Sequence, residues 1–179
     1  MVGTIFIVPV RHKVWTALAF VALAAIAVAV PAIGVLAGAP TVVLASKIPS
    51  MLGVGSLSID PLAAIFLLII AVAGVATLLY SRGYIAPYLK KKSSAHISLH
   101  YTALAVLVLS MMLVVMADGG VLFLVAWERM TIASFILILF DAERPEVLRA
   151  ALAYLVMMHV GFIFLVAGFV GAEAATGSA

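Results

Sequence analysis

Two residues in this sequence have the chemistry to move a proton through an apolar medium. Glu128 lies in the apolar run 120–140, within the stretch AWERMTIASF, and His159 lies in a later run, within YLVMMHVGF. A helix over those 21 residues is about 31 Å long, roughly one bilayer core, so Glu128 is expected far below either membrane surface. A carboxylate at that depth costs at least ~2.5 kcal/mol and persists only with a partner, water or a function. Glu128 is 12 residues from the end of its run at Phe140. The same distance counted from Arg149 along the next run ends near Gly161, about two residues or ~3 Å from His159. An antiparallel hairpin therefore brings an acid and an imidazole to one depth, and the spacing leaves open whether their faces meet. Imidazole carries protons near neutral pH, and desolvation moves a carboxyl toward the same range. Such a pair reads as a proton relay; one acid and one imidazole are too few to hold a metal. The structural alternatives are an ion pair that joins helices and a histidine that simply satisfies its own hydrogen bonds.

The neighbours of this pair each carry two readings. Arg129 follows Glu128 directly, but adjacent helical residues point about 100° apart, so the two serve different surroundings. Thr131 and Ser134 lie close to the Glu128 face, where hydroxyls hold water, bond a neighbouring helix or simply pack. Asp60 and Asp118 stand at span ends as helix caps or as mouths of a pathway, with capping the default for Asp60. His100, near the inner end of the third span, is a way in for protons from the cytoplasm, and Tyr101 fits an interfacial aromatic belt. Glu146 and Arg149, three apart at a helix start, suit a surface pair.

The elements that must position these groups follow from composition. The chain has 179 residues, is 67% hydrophobic and 9% charged, and has a mean hydropathy of +1.36. Continuous apolar runs, without period-two alternation, imply an all-α polytopic membrane bundle rather than a soluble domain or a β-barrel. We expect a single transmembrane domain over 1–179, with spans at about 14–37, 61–80, 99–117, 120–140 and 148–171. Residues 1–10 are apolar but too short to span. There is no cysteine, so no disulfide, Fe–S cluster or thiolate zinc site arises from this chain. The small positive charge sets orientation and gives no sign of nucleic-acid binding. Arg11, Lys13, Arg82, Lys90, Lys91, Lys92, Arg144 and Arg149 share one side if the N-terminus is cytoplasmic. Lys47, Asp60, Asp118 and Glu173 fall on the other. The lysine triplet is a topology signal or a patch for anionic lipid or a peripheral partner. No lysine is expected inside a span.

The loops constrain the hairpins. Residues 38–60, with Pro40 and Pro49, are too interrupted to span and are expected to form an extended or hairpin cap on the outer face. Asp118, Gly119 and Gly120 make a tight outer turn that sets the third and fourth helices antiparallel. Asp141 suits a short turn, and Pro145 suits the first turn of the fifth helix.

The region 59–171 resembles the antiporter-like subunits of respiratory complex I, Mrp-type cation/proton antiporters and membrane-bound hydrogenases. The residues that carry the resemblance are Ala117-Asp118 at an outer turn, Trp127-Glu128 in the next helix, a short charged loop, and Tyr154-Leu155-Val156-Met157 followed by His159 and Gly161. Asp60-Pro61-Leu62 and Tyr80-Ser81-Arg82-Gly83-Tyr84 bracket a further similar helix. The resemblance implies that Glu128 is an intramembrane glutamate that pairs with a lysine and gates proton transfer, and that His159 occupies a polar position in the next helix. It gives Trp127 and Asp118 as recurrent neighbours. It implies partner subunits with Fe–S clusters, nickel or flavin, and none of these in this chain. Full-length members have many more helices in inverted repeats, so the resemblance is to a split or truncated N-terminal portion. Its lysine would then come from another membrane subunit, with Arg129 as a substitute internal cation.

The functional expectation is a non-catalytic accessory subunit of an ion-translocating redox or antiporter complex in a prokaryotic cytoplasmic membrane. It would contribute Glu128, His159, Asp118, Thr131, Ser134 and Arg129 to a proton or sodium path. A structural subunit that bridges membrane modules is the alternative, and a small homo-oligomeric carrier is a third.

Overall fold

The structure is a computed structural model of the chain. It describes residues 5, 9, 12–50, 53–89 and 91–176, with side chains except at 45–50, 53–54, 173 and 176. Arg11, Lys90 and most of residues 1–10 thus lie outside the described residues.

Five helices are long and apolar enough to cross a membrane: α1 (Lys13–Leu36), α2 (Pro61–Ile85), α3 (Ser94–Met116), α4 (Gly120–Ile138) and α5 (Pro145–Thr176). They form the all-α polytopic bundle read from the sequence. Runs this apolar on all sides become helices because hydrocarbon leaves the backbone only its own groups to bond. The ends follow local chemistry. Asp60 caps α2, its carboxylate accepting from the Ala63 N–H at 2.6 Å, and Pro61 supplies the first helical position. Ser93 caps α3 through the His96 N–H. Three of the helices run well beyond the expected spans, because helical hydrogen bonding continues past the apolar stretch: α2 reaches Ile85, α3 starts at Ser94, and α5 runs from Pro145 to Thr176.

Small residues set the helix packing. α1 buries Ala17, Val21, Ala25, Val28, Ala32 and Val35, and α2 buries Ala64, Leu67, Ala71, Gly74 and Leu78. These three- and four-residue steps draw one seam down each helix, and small side chains let the backbones approach. α3 joins this pair and carries α4 on its far side, and α5 packs on α4 alone to any extent. Gly74 marks the tightest approach. A Cβ there would lie 2.5 Å from Val108 Cγ1.

One end of the bundle carries the expected cap. β1 (Val42–Ser50) and β2 (Gly53–Ile59) form an antiparallel hairpin, with register irregularities between Val43 and Ile48. A two-residue strand, β3 (Ala117–Asp118), pairs with β2 opposite Ser56 and Leu57. The turn after β3 needs Gly119, whose φ of +128° is costly for any other residue.

The other end carries the basic side chains. Lys13 departs from expectation here. It opens α1 and is fully buried, its ammonium donating to the Ser94 carbonyl at 2.8 Å, to Ser94 Oγ at 2.8 Å and to Ser98 Oγ. Three acceptors match its three N–H donors, so a charge read as a loop signal becomes an internal tie between α1 and α3. Arg82 lies over the Trp15 ring, 5.5 Å from its centroid. Lys92 bonds Glu143 Oε1 at 2.7 Å and lies 3.7 Å from Asp141 Oδ1, and the Tyr88 hydroxyl donates to Asp141 Oδ2 at 3.1 Å. Together these join the α2–α3 loop to the α4–α5 loop. Glu146 and Arg149 are both exposed, and no ion pair joins them.

Two outcomes follow. Gly74→Ala should cost about 1–3 kcal/mol of stability, because Val108 is stiff at χ1 and cannot yield; thermal unfolding in detergent measures it, with Val108→Ala restoring part of the loss. The Lys92 pKa is raised above 10.5, first by the hydrogen bond to Glu143 and then by the Glu143 and Asp141 charges, with burial opposing. A raised lysine pKa contributes stability that is complete below 10.5 and is lost as pH rises through the folded value. Crosslinking between the two loops should therefore persist at neutral pH and fall only beyond pH 10.5. Lys92→Met should cost less than ~1 kcal/mol, since Glu143 is exposed.

Candidate proton-carrying pair between α4 and α5

The α4–α5 hairpin turns through a 3-10 turn, Leu139–Asp141, and restarts at Pro145. At its sheet end the two helices are held by close apolar contact. Gly120 leaves room for Phe169, where a Cβ would come within 2.8 Å of the ring. Phe123 continues this contact, 5.5 Å from Phe169 and 5.8 Å from Trp127 between ring centroids. This fixes the rotation of α4 against α5 one to two turns before Glu128.

With that rotation set, the two faces meet. His159 Nε2 is 3.2 Å from Glu128 Oε1, with the side chains 47% and 29% exposed on the surface of this chain. The other ring nitrogen, Nδ1, is 2.9 Å from the Leu155 carbonyl oxygen. A carbonyl only accepts, so Nδ1 carries a hydrogen. Nε2 then meets Glu128 in one of two ways: as N–H of an imidazolium to a carboxylate, or as a lone pair accepting from a protonated carboxyl. Both forms hold one proton between the two atoms. Without that proton, two lone pairs would face each other. Glu128 Oε2 is buried and has no hydrogen-bond partner among the described residues, and the same holds for Trp127 Nε1.

The other expected residues are placed differently. Thr131 is buried and its hydroxyl donates to the Trp127 carbonyl at 3.1 Å, so it is spent on its own helix. Ser134 is half-buried, one to two turns further along α4. Asp118 is exposed at the sheet end, ten residues or roughly 15 Å of helix rise from Glu128, and accepts from Ser56 Oγ at 2.8 Å. It straps the hairpin to the α3–α4 turn. Arg129 lies toward α3, in a groove with Leu99, Thr102 and Val106, and makes no ion pair with Glu128. His100 sits at the basic end among Tyr84, Tyr101 and Phe140, with ring centroids 6.5, 5.5 and 4.8 Å away. Phe140 is 12 residues, roughly 18 Å of rise, from Glu128. The structure thus joins Glu128 to His159 and leaves the others apart. A cavity of about 520 Å³ at the basic end is lined by Tyr84, Tyr88, Lys91, Lys92, Asp141 and Arg144.

Sequence reasoning missed the Lys13–Ser94–Ser98 cluster. Its members are 81 and 85 residues apart, and no local pattern signals the contact.

Part of the chain is similar to NADH-quinone oxidoreductase subunit L of Mycobacterium tuberculosis. The identity is 35% over 112 residues, which is 63% of this chain and 17% of that protein. An uncharacterized protein of the same organism, Rv0083, is 41% identical over 96 residues, 53% of this chain and 14% of the relative. The chain thus matches less than a fifth of the length of either relative. No family model matches it.

If Glu128 and His159 share a proton, replacing the imidazole must change where that proton sits. In His159→Phe the carboxyl loses its only partner among the described residues and should carry the proton itself. Infrared difference spectra against Glu128→Gln should then show a protonated carboxyl band specific to Glu128. A carboxylate band in His159→Phe would mean that another group balances the charge.

Proposed function

We propose that this chain is an antiporter-like, non-catalytic membrane subunit of a multi-subunit ion-translocating complex in a prokaryotic cytoplasmic membrane. The partial likeness to NADH-quinone oxidoreductase subunit L supports membership in a complex of that kind. Redox centres such as Fe–S clusters, nickel or flavin would then belong to partner subunits.

The observation that carries the ionic role is the 3.2 Å contact between Glu128 Oε1 and His159 Nε2, with Nδ1 tied to Leu155. In this reading the proton crosses that hydrogen bond from Nε2 to Oε1, turning an ion pair into two neutral groups. No atom moves far, and the net charge of the pair stays constant during the step. Delivery and removal act at the exposed side of the pair, after a ring nitrogen of His159 gives up one of its two partners. A donor from a neighbouring subunit would act on that exposed side, and an intramembrane lysine fits that role by the resemblance. Lys13 does not, since it is committed at the basic end.

One observation favours the second reading, a bridging subunit with no ion path of its own. The spanning part of α5 has almost no buried face, so most of its apolar surface is available to neighbours. Glu128→Gln separates the two, because it keeps the side chain's size and removes its ability to exchange a proton. In the intact complex, reconstituted into liposomes, pumping should fall at least tenfold while assembly is unchanged. Parallel proton and sodium gradients identify the ion. Unaltered pumping in Glu128→Gln and in His159→Phe would leave only the bridging role.

A further inference from the structure

Arg129 is a mid-membrane charge that the Glu128–His159 pair does not use. It is the tenth of the 19 residues of α4, about 13.5 Å of rise from either end. An arginine side chain is too short to bring its guanidinium from there to the membrane surface. Among the described residues it has no ion pair and no hydrogen bond, and it is exposed on the surface of the chain. It lies over a groove of about 160 Å³ between α3 and α4, with Leu99, Thr102, Val106, Ile132 and Ile136. Thr102 is the other polar lining side chain, and its Oγ1 is buried without a partner. The groove's own surface is apolar, and the exposed Arg129 beside it has five guanidinium donors without a partner among the described residues.

The chain has seven acidic residues, and their positions exclude an internal counter-ion. Glu128 meets His159 on a different face of α4. Asp60 and Asp118 are at the sheet end, Asp141, Glu143 and Glu146 at the basic end, and position 173 lies in the last turn of α5. Lipid tails have no acceptor, and lipid phosphates stay at the surface. We propose that the α3–α4 groove receives a transmembrane helix of a different subunit, one that carries Asp or Glu at mid-depth. Its carboxylate takes two parallel N–H donors from Arg129, the geometry that guanidinium favours. Ala103 and Ala133 in the groove let the two backbones approach. Because the groove and the His159 contact lie on different faces, failure of one leaves the other standing.

The test is crosslinking in native membranes, with a benzophenone amino acid at Ile132 and mass-spectrometric sequencing of the linked peptide. The expected product is an apolar helix of another subunit with an acid within one turn of the linked residue. Arg129→Leu should reduce that product, and co-purification of the same subunit, at least tenfold, with Arg129→Lys retaining more. Leucine inserts into a membrane more readily than arginine, so that loss is not misinsertion. Arg129→Glu combined with arginine at the partner's acid should restore the product. Links only to lipid, to a second copy of this chain or to a helix without an acid would overturn the proposal. So would an Arg129→Leu complex that assembles like its parent.

Discussion

In hydrocarbon a polar group finds its partner within protein or goes without, and the bundle is organised by that constraint. Backbone groups are satisfied by helices across the apolar zone and by strand pairing at one end. Side chains follow the same rule. The Lys13 ammonium fills all three donors, the Ser81 hydroxyl turns back to the Leu78 carbonyl, and Thr131 turns back to Trp127. Against this pattern the exceptions are informative. His100 Nδ1, Thr102 Oγ1, Trp127 Nε1 and Glu128 Oε2 are buried without partners among the described residues. Two of these lie on α4 and Thr102 lines the α3–α4 groove, while His100 sits apart at the basic end.

α4 is accordingly a helix with two polar faces rather than one. Glu128 and Arg129 are adjacent and opposite in charge, yet the 100° step between them sends one to α5 and the other to the α3 groove. A direct Glu–Arg pair would have cancelled both charges within the chain. Separation instead leaves Glu128 against the His159 imidazole and Arg129 beside the α3 groove. Both side chains sit at the same depth on the same rigid element, so movement of α4 would displace both.

Depth was legible in the sequence and azimuth was not. The rise per helical residue is constant, so counting from the charged loop put Glu128 and His159 at one level. Whether they faced each other depended on rotation, which Gly120, Phe123 and Phe169 set through packing. Local signals were equally readable. Asp60 and Pro61 gave the start of α2, Gly119 gave the turn, and the broken stretch before Asp60 gave the cap. Contacts across long separations left no local trace. Ser56 and Asp118 are 62 residues apart, so the strap role of Asp118 could not be separated from a pathway role. Lys13 looked like a loop charge for the same reason.

The Lys13 cluster also orders events in time. Its acceptors, Ser94 and Ser98, are made 81 and 85 residues later. At roughly 5–20 residues per second, the ribosome adds those residues in about 4–17 s. During that interval α1 and then α2 are completed, and the lysine lacks these acceptors until α3 begins. Only the arrival of α3 lets it turn inward. The side chain is thus a late-closing bolt, engaged between α1 and α3 only after α2 is already in the chain between them.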